Sequence, residues 1–356
     1  MLSRKSFRPA AFALALGLAG LAPTAQALNI VLTDVGATPM SAAQLGAFQA
    51  AANYWSGKLT DNATVYVNIA FSDLGPNILG STGSNWDTIN YSTLRSRLAT
   101  DAKSATDALA VASMPTGSAV SFWATQGDLT TRFDNDGSTN NKLLGINTAN
   151  LKALGVDPGT NAGNPDARIE FANAFASDFA FTRVNGGVPA NKIDFITVAE
   201  HEIGHALGFV SGVDDIDFCV SNAAQCGLSG AANQFESDWW YYPLDMFRYS
   251  AAGKRDLTLG GSPYFSVDGG LTSIQPFSTG EEHGNGWQAS HFGPNVLTLM
   301  RPFVGNGQSY DASPSDLMAF DAIGWDLATA VPEPSQYALL IGGLVAVGLA
   351  RRRKRD

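Results

Sequence analysis

The segment His201-Glu202-Ile203-Gly204-His205, continuing Ala206-Leu207-Gly208, constrains this chain more than any other. Two histidines four positions apart on a helix differ by about 40° around its axis, so both imidazoles leave the same face. Two nitrogens placed in this way can hold one Zn²⁺ at about 2.0–2.1 Å each. Glu202 lies roughly a quarter turn further round, within reach of a water at the metal that it can serve as general base. A five-residue match is short, so its surroundings have to support a helix. Ile193, Phe195, Ile196, Val198, Ala199, Ile203, Ala206, Leu207 and Phe209 supply the apolar positions of a helix buried on most of its surface. Asp194 and Thr197 are candidate N-caps, and Gly208 suits a left-handed helix exit. The plain alternative is a buried helix with two structural histidines. It leaves a buried Glu202 without a role, and an unpaired buried carboxylate is costly.

The chain has only four histidines, His201, His205, His283 and His291. A catalytic zinc takes three protein ligands and keeps one position open, so a third ligand is needed. In the metzincin pattern a third His stands three residues after the glycine that follows the motif. Ser211 occupies that position here, so the short pattern is not completed. Asp214 and Asp215 would serve if the chain turned back at Gly212. Glu236 would serve from a second helix, as in thermolysin-like enzymes, and His283 or His291 across a long insertion. We favour His291, which stands in Gln288-Ala289-Ser290-His291 nine residues before Met300. A Met in a tight turn beneath the zinc histidines is the other hallmark of metzincins. The arrangement resembles leishmanolysin-like enzymes, in which an insertion separates the second and third His and the third precedes the Met. An ordinary core methionine is the plain reading of Met300.

The termini read as sorting signals. Arg4, Lys5 and Arg8 precede an apolar run from Ala10 to about Leu21 and the small-x-small site Ala25-Gln26-Ala27. Residues 1–27 are therefore expected to be a secretory signal peptide, too short in its apolar part for a membrane span. The first strand-like run follows directly, leaving little room for a propeptide. At the other end Val331-Pro332-Glu333-Pro334-Ser335 precedes the apolar run Tyr337 to Ala350 and Arg351-Arg352-Arg353-Lys354-Arg355. Residues 331–356 resemble the bacterial PEP-CTERM sorting tail. The resemblance implies transient anchoring in the inner membrane, the basic cluster remaining cytoplasmic, until an exosortase-type transpeptidase processes the tail near Pro-Glu-Pro. A simple transmembrane tail anchor is the alternative, and its apolar run is short for that role.

Net charge is −10 over 356 residues. Residues 1–27 hold three basic and no acidic groups, and residues 331–356 hold five and two. That leaves 14 basic and 30 acidic groups between them, a net charge of −16. Such a core argues against nucleic-acid binding and suits an exported protein with room for Ca²⁺ sites. Cys219 and Cys226, the only cysteines, are expected to pair in an oxidising compartment. No Cys precedes the histidine helix, so latency through a propeptide thiolate is not available.

Periodicity predicts an α+β chain of two lobes. Residues 28–211 read as an N-terminal lobe with a mixed sheet and the zinc helix. It has strands at 28–34, 64–71, 120–124 and 169–172, a helix from Ser41 to Leu59 burying Leu45, Phe48, Ala52 and Trp55, helical segments over 91–112 and a short helix at 150–154. Residues 212–330, rich in Gly, Ser, Asp and aromatics, read as an irregular C-terminal lobe carrying the third ligand and the Met-turn. It has a strand-like piece at Tyr264–Val267 and a last helix at 316–323 capped by Ser313 or Ser315. Asp134-Asn135-Asp136-Gly137, with Asn140 and Asn141, offers oxygen ligands for Ca²⁺. It lacks the spacing of an EF-hand and reads first as an Asx-rich turn. Trp239-Trp240-Tyr241-Tyr242 reads as a buried aromatic cluster.

Taken together, the chain resembles secreted zincin metallopeptidases that carry PEP-CTERM tails. The carriers are the histidine motif, Tyr264-Phe265-Ser266-Val267-Asp268-Gly269-Gly270, Gln288-Ala289-Ser290-His291, Met300 and Leu317-Met318-Ala319-Phe320-Asp321-Ala322-Ile323-Gly324-Trp325. The resemblance implies a zinc endopeptidase acting on protein or peptide substrates, with Zn²⁺ on His201, His205 and His291 and Glu202 as general base. A non-catalytic surface or biofilm-matrix protein on the same scaffold is the alternative.

Overall fold

The computed structural model describes residues 28–328, so the leader at 1–27 and the tail at 331–356 lie outside the described residues. The fold is α+β. The chain opens with β1 (Asn29–Asp34), α1 (Ala42–Lys58), β2 (Thr64–Ser72), β3 (Gly80–Ser84) and β4 (Trp86–Asn90). It continues through α2 (Tyr91–Asp101), α3 (Ala105–Ser113), β5 (Phe122–Thr125), β6 (Thr131–Asp134), α4 (Thr139–Lys142), β7 (Leu143–Asn147), α5 (Thr148–Ala153) and β8 (Ala167–Ala172). Two short strands, β9 (Phe179–Ala180) and β10 (Ile193–Asp194), lead into α6 (Phe195–Ala206) and then α7 (Val213–Ser221). The remainder holds β11 (Arg248–Ala251), β12 (Lys254–Leu257), β13 (Tyr264–Phe265), β14 (Gln275–Pro276) and α8 (Pro314–Ala322). Among the described residues no helix is long and apolar enough to cross a membrane.

The first sheet is mixed, in the order β1-β2-β8-β3. β1, β2 and β8 run parallel, and β3 closes one edge antiparallel to β8 with Thr82 opposite Ile169. Helix α1 starts on a Ser41 capping box and buries Phe48, Ala52 and Trp55. Leu45, expected on that face, is instead 40% exposed, because Ala47 and Ala51 complete the buried stripe one position over. Between α1, the sheet and α6 lies an aromatic knot. The Phe195 ring centroid is 5.0 Å from that of Phe48 and 4.3 Å from that of Phe171. Each fully buried Phe contributes about 1.5–3 kcal/mol, so this knot holds the start of α6 against the sheet.

The second sheet, β14-β13-β11-β12-β5-β6, joins strands from both halves of the chain, because β12 pairs parallel with β5. The boundary expected at 211/212 therefore does not separate the two sheets. The C-terminal end also returns to the beginning. Phe320 on α8 packs on Trp55 at 4.6 Å, the Trp325 indole donates to the Leu207 carbonyl, and Leu59 bridges Leu327. Residues after 212 are less irregular than composition suggested, since Val213–Ser221 is a helix, while Tyr264–Val267 contributes only two paired residues. Ser313, of the two candidates, caps α8. Of the aromatic run, Tyr241 and Tyr242 are buried, whereas Trp239 lies against the exposed Trp86 at 4.3 Å.

Candidate metal centre

Helix α6 starts on Asp194, whose carboxylate accepts from the Ile196 amide, and ends before Gly208, which takes a φ of +116°. That conformation is open to glycine and strained for other residues. The Trp55 indole donates to the Glu200 carbonyl at 2.8 Å, locking the middle of the helix to α1. Along the opposite face stand His201 and His205. The segment after β14 brings His291 to them from 86 residues away.

The three imidazoles share one geometry. Their Nδ1 atoms lie 2.8 Å from the Leu299 carbonyl (His201), 2.7 Å from the Phe209 carbonyl (His205) and 3.2 Å from the Gln288 carbonyl (His291). A carbonyl oxygen only accepts, so each Nδ1 carries the hydrogen and each Nε2 presents its lone pair. The Nε2 atoms are 3.0, 3.2 and 3.2 Å apart. Three facing lone pairs with no proton between them repel, and a cation among them turns that repulsion into coordination. Ligands at 2.0–2.1 Å from a tetrahedral ion are about 3.3–3.4 Å apart, so the donor set and its spacing fit Zn²⁺. Burial holds these imidazoles neutral. It lowers His201 to about 4 and, with the charge of His201 adding to it, His291 to about 3, while His205 falls well below its ordinary value.

Glu202 is 6% exposed. Burial pushes its carboxyl up to about 7, against the hydrogen bond from Thr82. The Thr82 hydroxyl stands 2.7 Å from Glu202 Oε2 and 2.9 Å from the Glu202 carbonyl, so the edge strand β3 orients the carboxylate. Met300 is fully buried. A Cβ added at Gly204 would lie 2.6 Å from its sulfur, which places the thioether directly beneath α6 between the two histidines in sequence. The turn bearing it is fixed by Asp316, whose carboxylate accepts from the Leu299 and Met300 amides at 2.9 and 3.1 Å.

The other third-ligand candidates lie elsewhere or are otherwise engaged. The Asp214 carboxylate accepts from the Ala289 and Ser290 amides and the Ser290 hydroxyl, so it supports the segment before His291 instead of joining the cluster. Asp215, next to it on α7, is outside the group as well. His283 bonds through Nδ1 to Asp217 at 2.9 Å and through Nε2 to Ser221 at 3.3 Å. Glu236 bonds to Arg132 and to Ser138. It stands with Asp134 and Asp136 in a second acidic cluster, whose centre is shared by the Arg132 guanidinium. The Asp134–Asn141 segment forms the Asx-rich turn read from its residues, with Ser138 N–H on Asp136 and Gly137 N–H on Asn141. Cys219 and Cys226 form a disulfide with Cα atoms 5.8 Å apart at the end of α7.

A cavity of about 770 Å³ lies over the three histidines, bounded on one side by Gly80, Ser81 and Thr82 of β3 and on the other by Trp287, Arg301 and Phe303. Sequence reasoning missed Thr82, Asp316 and Arg301. Gly-Ser-Thr-Gly-Ser has no apolar alternation to mark β3 as a strand, while Asp316 and Arg301 gain their roles only through chain return.

Residues 330–355 match the PEP-CTERM protein-sorting motif. No curated protein and no solved structure matches the chain significantly. The motif marks a protein exported and sorted through its C-terminus to the cell envelope or surface, with exosortase-type processing as the partner reaction.

Proposed function

We propose that this protein is an exported zinc-dependent endopeptidase of zincin type. The observation that carries the reading is the convergence of three Nε2 lone pairs, each imidazole anchored through Nδ1 to a backbone carbonyl, beside a buried glutamate. Carbonyl-anchored histidines are the outer-shell arrangement that metal sites use to set tautomer and orientation. His201, His205 and His291 would hold Zn²⁺, which supplies Lewis acidity toward a carbonyl oxygen and acidifies a water. Glu202, raised toward neutrality by burial, accepts the proton of the attacking water and returns it to the leaving amine. Thr82 holds that carboxylate in place. β3 is an edge strand that lines the cavity, so an extended peptide can pair with it by main-chain hydrogen bonds and lay its scissile carbonyl over the histidines.

The test uses purified protein and casein. One zinc per chain and chelator-sensitive cleavage are expected, and Glu202→Gln is expected to keep the zinc and lose cleavage. Cleavage by the zinc-loaded Glu202→Gln variant would remove Glu202 from the mechanism. Zinc binding without cleavage by the wild type would favour a non-catalytic surface protein on the same scaffold.

A further inference from the structure

Arg301 follows Met300 and lines the cavity over the histidines, the one Lys or Arg among its described lining residues. It is 8% exposed, yet no carboxylate among the described residues lies within 4.0 Å of it. A buried cation without a counter-charge is expensive. The cavity's own acids do not provide one: Glu202 is held by Thr82, Asp214 by the 289–290 segment, and Glu281 is exposed at the rim. The guanidinium lies over the Phe303 ring at 4.1 Å and the Tyr310 ring at 5.3 Å. It donates to the Tyr310 hydroxyl at 3.0 Å and to the Pro294 carbonyl at 2.7 Å. Nε has no acceptor. Two of five N–H donors are therefore used and Nε is closed off, which leaves one hydrogen on each terminal nitrogen; these lie in the guanidinium plane and can receive a carboxylate.

Other arginines of the interior are placed differently. Half-buried Arg183 pairs with Asp194 and Asp311. Arg248, fully buried and likewise without a carboxylate within 4.0 Å, bonds to the Ala289 and Ser278 carbonyls and does not line the cavity. Arg255 lacks a carboxylate, but all three of its nitrogens are engaged, by Met246, Ser121 and Tyr249. Of these arginines only Arg301 has a place in the cavity wall.

The geometry points to Arg301 as a specificity residue that binds a carboxylate of the peptide substrate next to the scissile bond. This rests on the endopeptidase reading for the location of the bond, while the anion site itself does not. The carboxylate has two sources, an Asp or Glu side chain or a free C-terminus, and both present the same planar pair of oxygens. Phe303, against the guanidinium face, and Trp287, 5.3 Å from it, stand on the same side of the cavity as Arg301.

Peptides identical except for Glu or Gln beside the cut, each with a free or an amidated C-terminus, are titrated fluorometrically onto zinc-loaded Glu202→Gln protein, and the wild type is assayed for kcat/KM on the same set. The Glu side chain is expected to bind about tenfold tighter than Gln, with a similar ratio in kcat/KM. If the C-terminal carboxylate is the ligand, amidation lowers binding instead. Arg301→Gln is expected to bring either ratio near one, and Arg301→Lys to keep part of it. Should Arg301→Gln fail to fold, Arg301→Lys and the wild-type ratios still decide. Equal binding of all four peptides overturns the inference, as does a preference that survives Arg301→Gln. Discrimination in binding with no cleavage by the wild type leaves the anion site standing and removes the endopeptidase reading.

Discussion

Replacing Asp214 by Asn tests how the proposed third ligand is held. The Asp214 carboxylate receives the Ala289 amide on Oδ1 at 2.5 Å and the Ser290 amide and hydroxyl on Oδ2 at 2.9 and 2.5 Å. The Ser290 oxygen in turn accepts from the Ser211 amide at 2.9 Å, so the exit of α6 and the approach to His291 are clamped together at one carboxylate. An amide keeps one acceptor oxygen and turns N–H donors toward whichever partner faced the other. At least one hydrogen bond to a charged acceptor is lost, about 1.5–3 kcal/mol. If that clamp matters only when His291 is held at a metal, zinc affinity falls roughly 10- to 150-fold. The metal-free loop relaxes at little cost. Competition against a chromophoric zinc chelator measures this on wild type, Asp214→Asn and His291→Ala. The expected order is wild type tightest, Asp214→Asn intermediate and His291→Ala weakest. An Asp214→Asn affinity within about twofold of wild type would refute the clamp. A His291→Ala protein that keeps full affinity while Asp214→Asn loses it would exchange their roles.

Three further outcomes are expected. Thr82→Val removes the hydroxyl 2.7 Å from Glu202 Oε2 and should lower kcat about tenfold at unchanged zinc content; an unchanged kcat would deny β3 a part in orienting the base. Cys219→Ser with Cys226→Ser opens a loop of sequence separation seven and should cost about 2.5 kcal/mol in denaturant unfolding on the chain-entropy relation; an unchanged unfolding free energy would deny the disulfide that role. Asp61 is raised from 3.8 to about 7, first by burial and then by the charges of Asp326 and Asp101. A carboxyl whose folded pKa lies above its unfolded one favours the fold most below pH 3.8 and loses that contribution as pH rises through about 7. Asp61→Asn keeps an acceptor for the Asp326 amide and should be more stable than wild type above pH 7 by about 1–3 kcal/mol, with the gap closing toward pH 4; a gap independent of pH would assign the effect to packing.

Local rules made the elements legible where periodicity was strong. The stripe through Phe48, Ala52 and Trp55, the Ser41 and Ser313 caps and the apolar surround of His201 are properties of neighbours in sequence, and they appear as read. Leu45 shows the limit, because which of two adjacent helical stripes faces the sheet is settled by the sheet. β3 shows another, since an edge strand of Gly, Ser and Thr is held by its partner β8 and by Glu202, not by its own propensity. The placing of Glu236 beside Arg132, and of His283 on Asp217, follows from loop paths that no spacing encodes.

The sequence by itself determined the pair His201 and His205 with Glu202 between them, because four residues make one helical turn and the turn decides the face. It also determined the sorting tail, whose three parts are contiguous and carry their meaning in order. Tertiary structure alone decided the rest of the centre. His291 meets the helix only because Asp214, Ser290 and Asp316 fix a segment some 90 positions downstream. Arg301 becomes an unpaired buried cation only because the chain folds Phe303 and Tyr310 onto it. Contacts at such separations depend on which loops close and which carboxylates are spent elsewhere, quantities that belong to the whole fold.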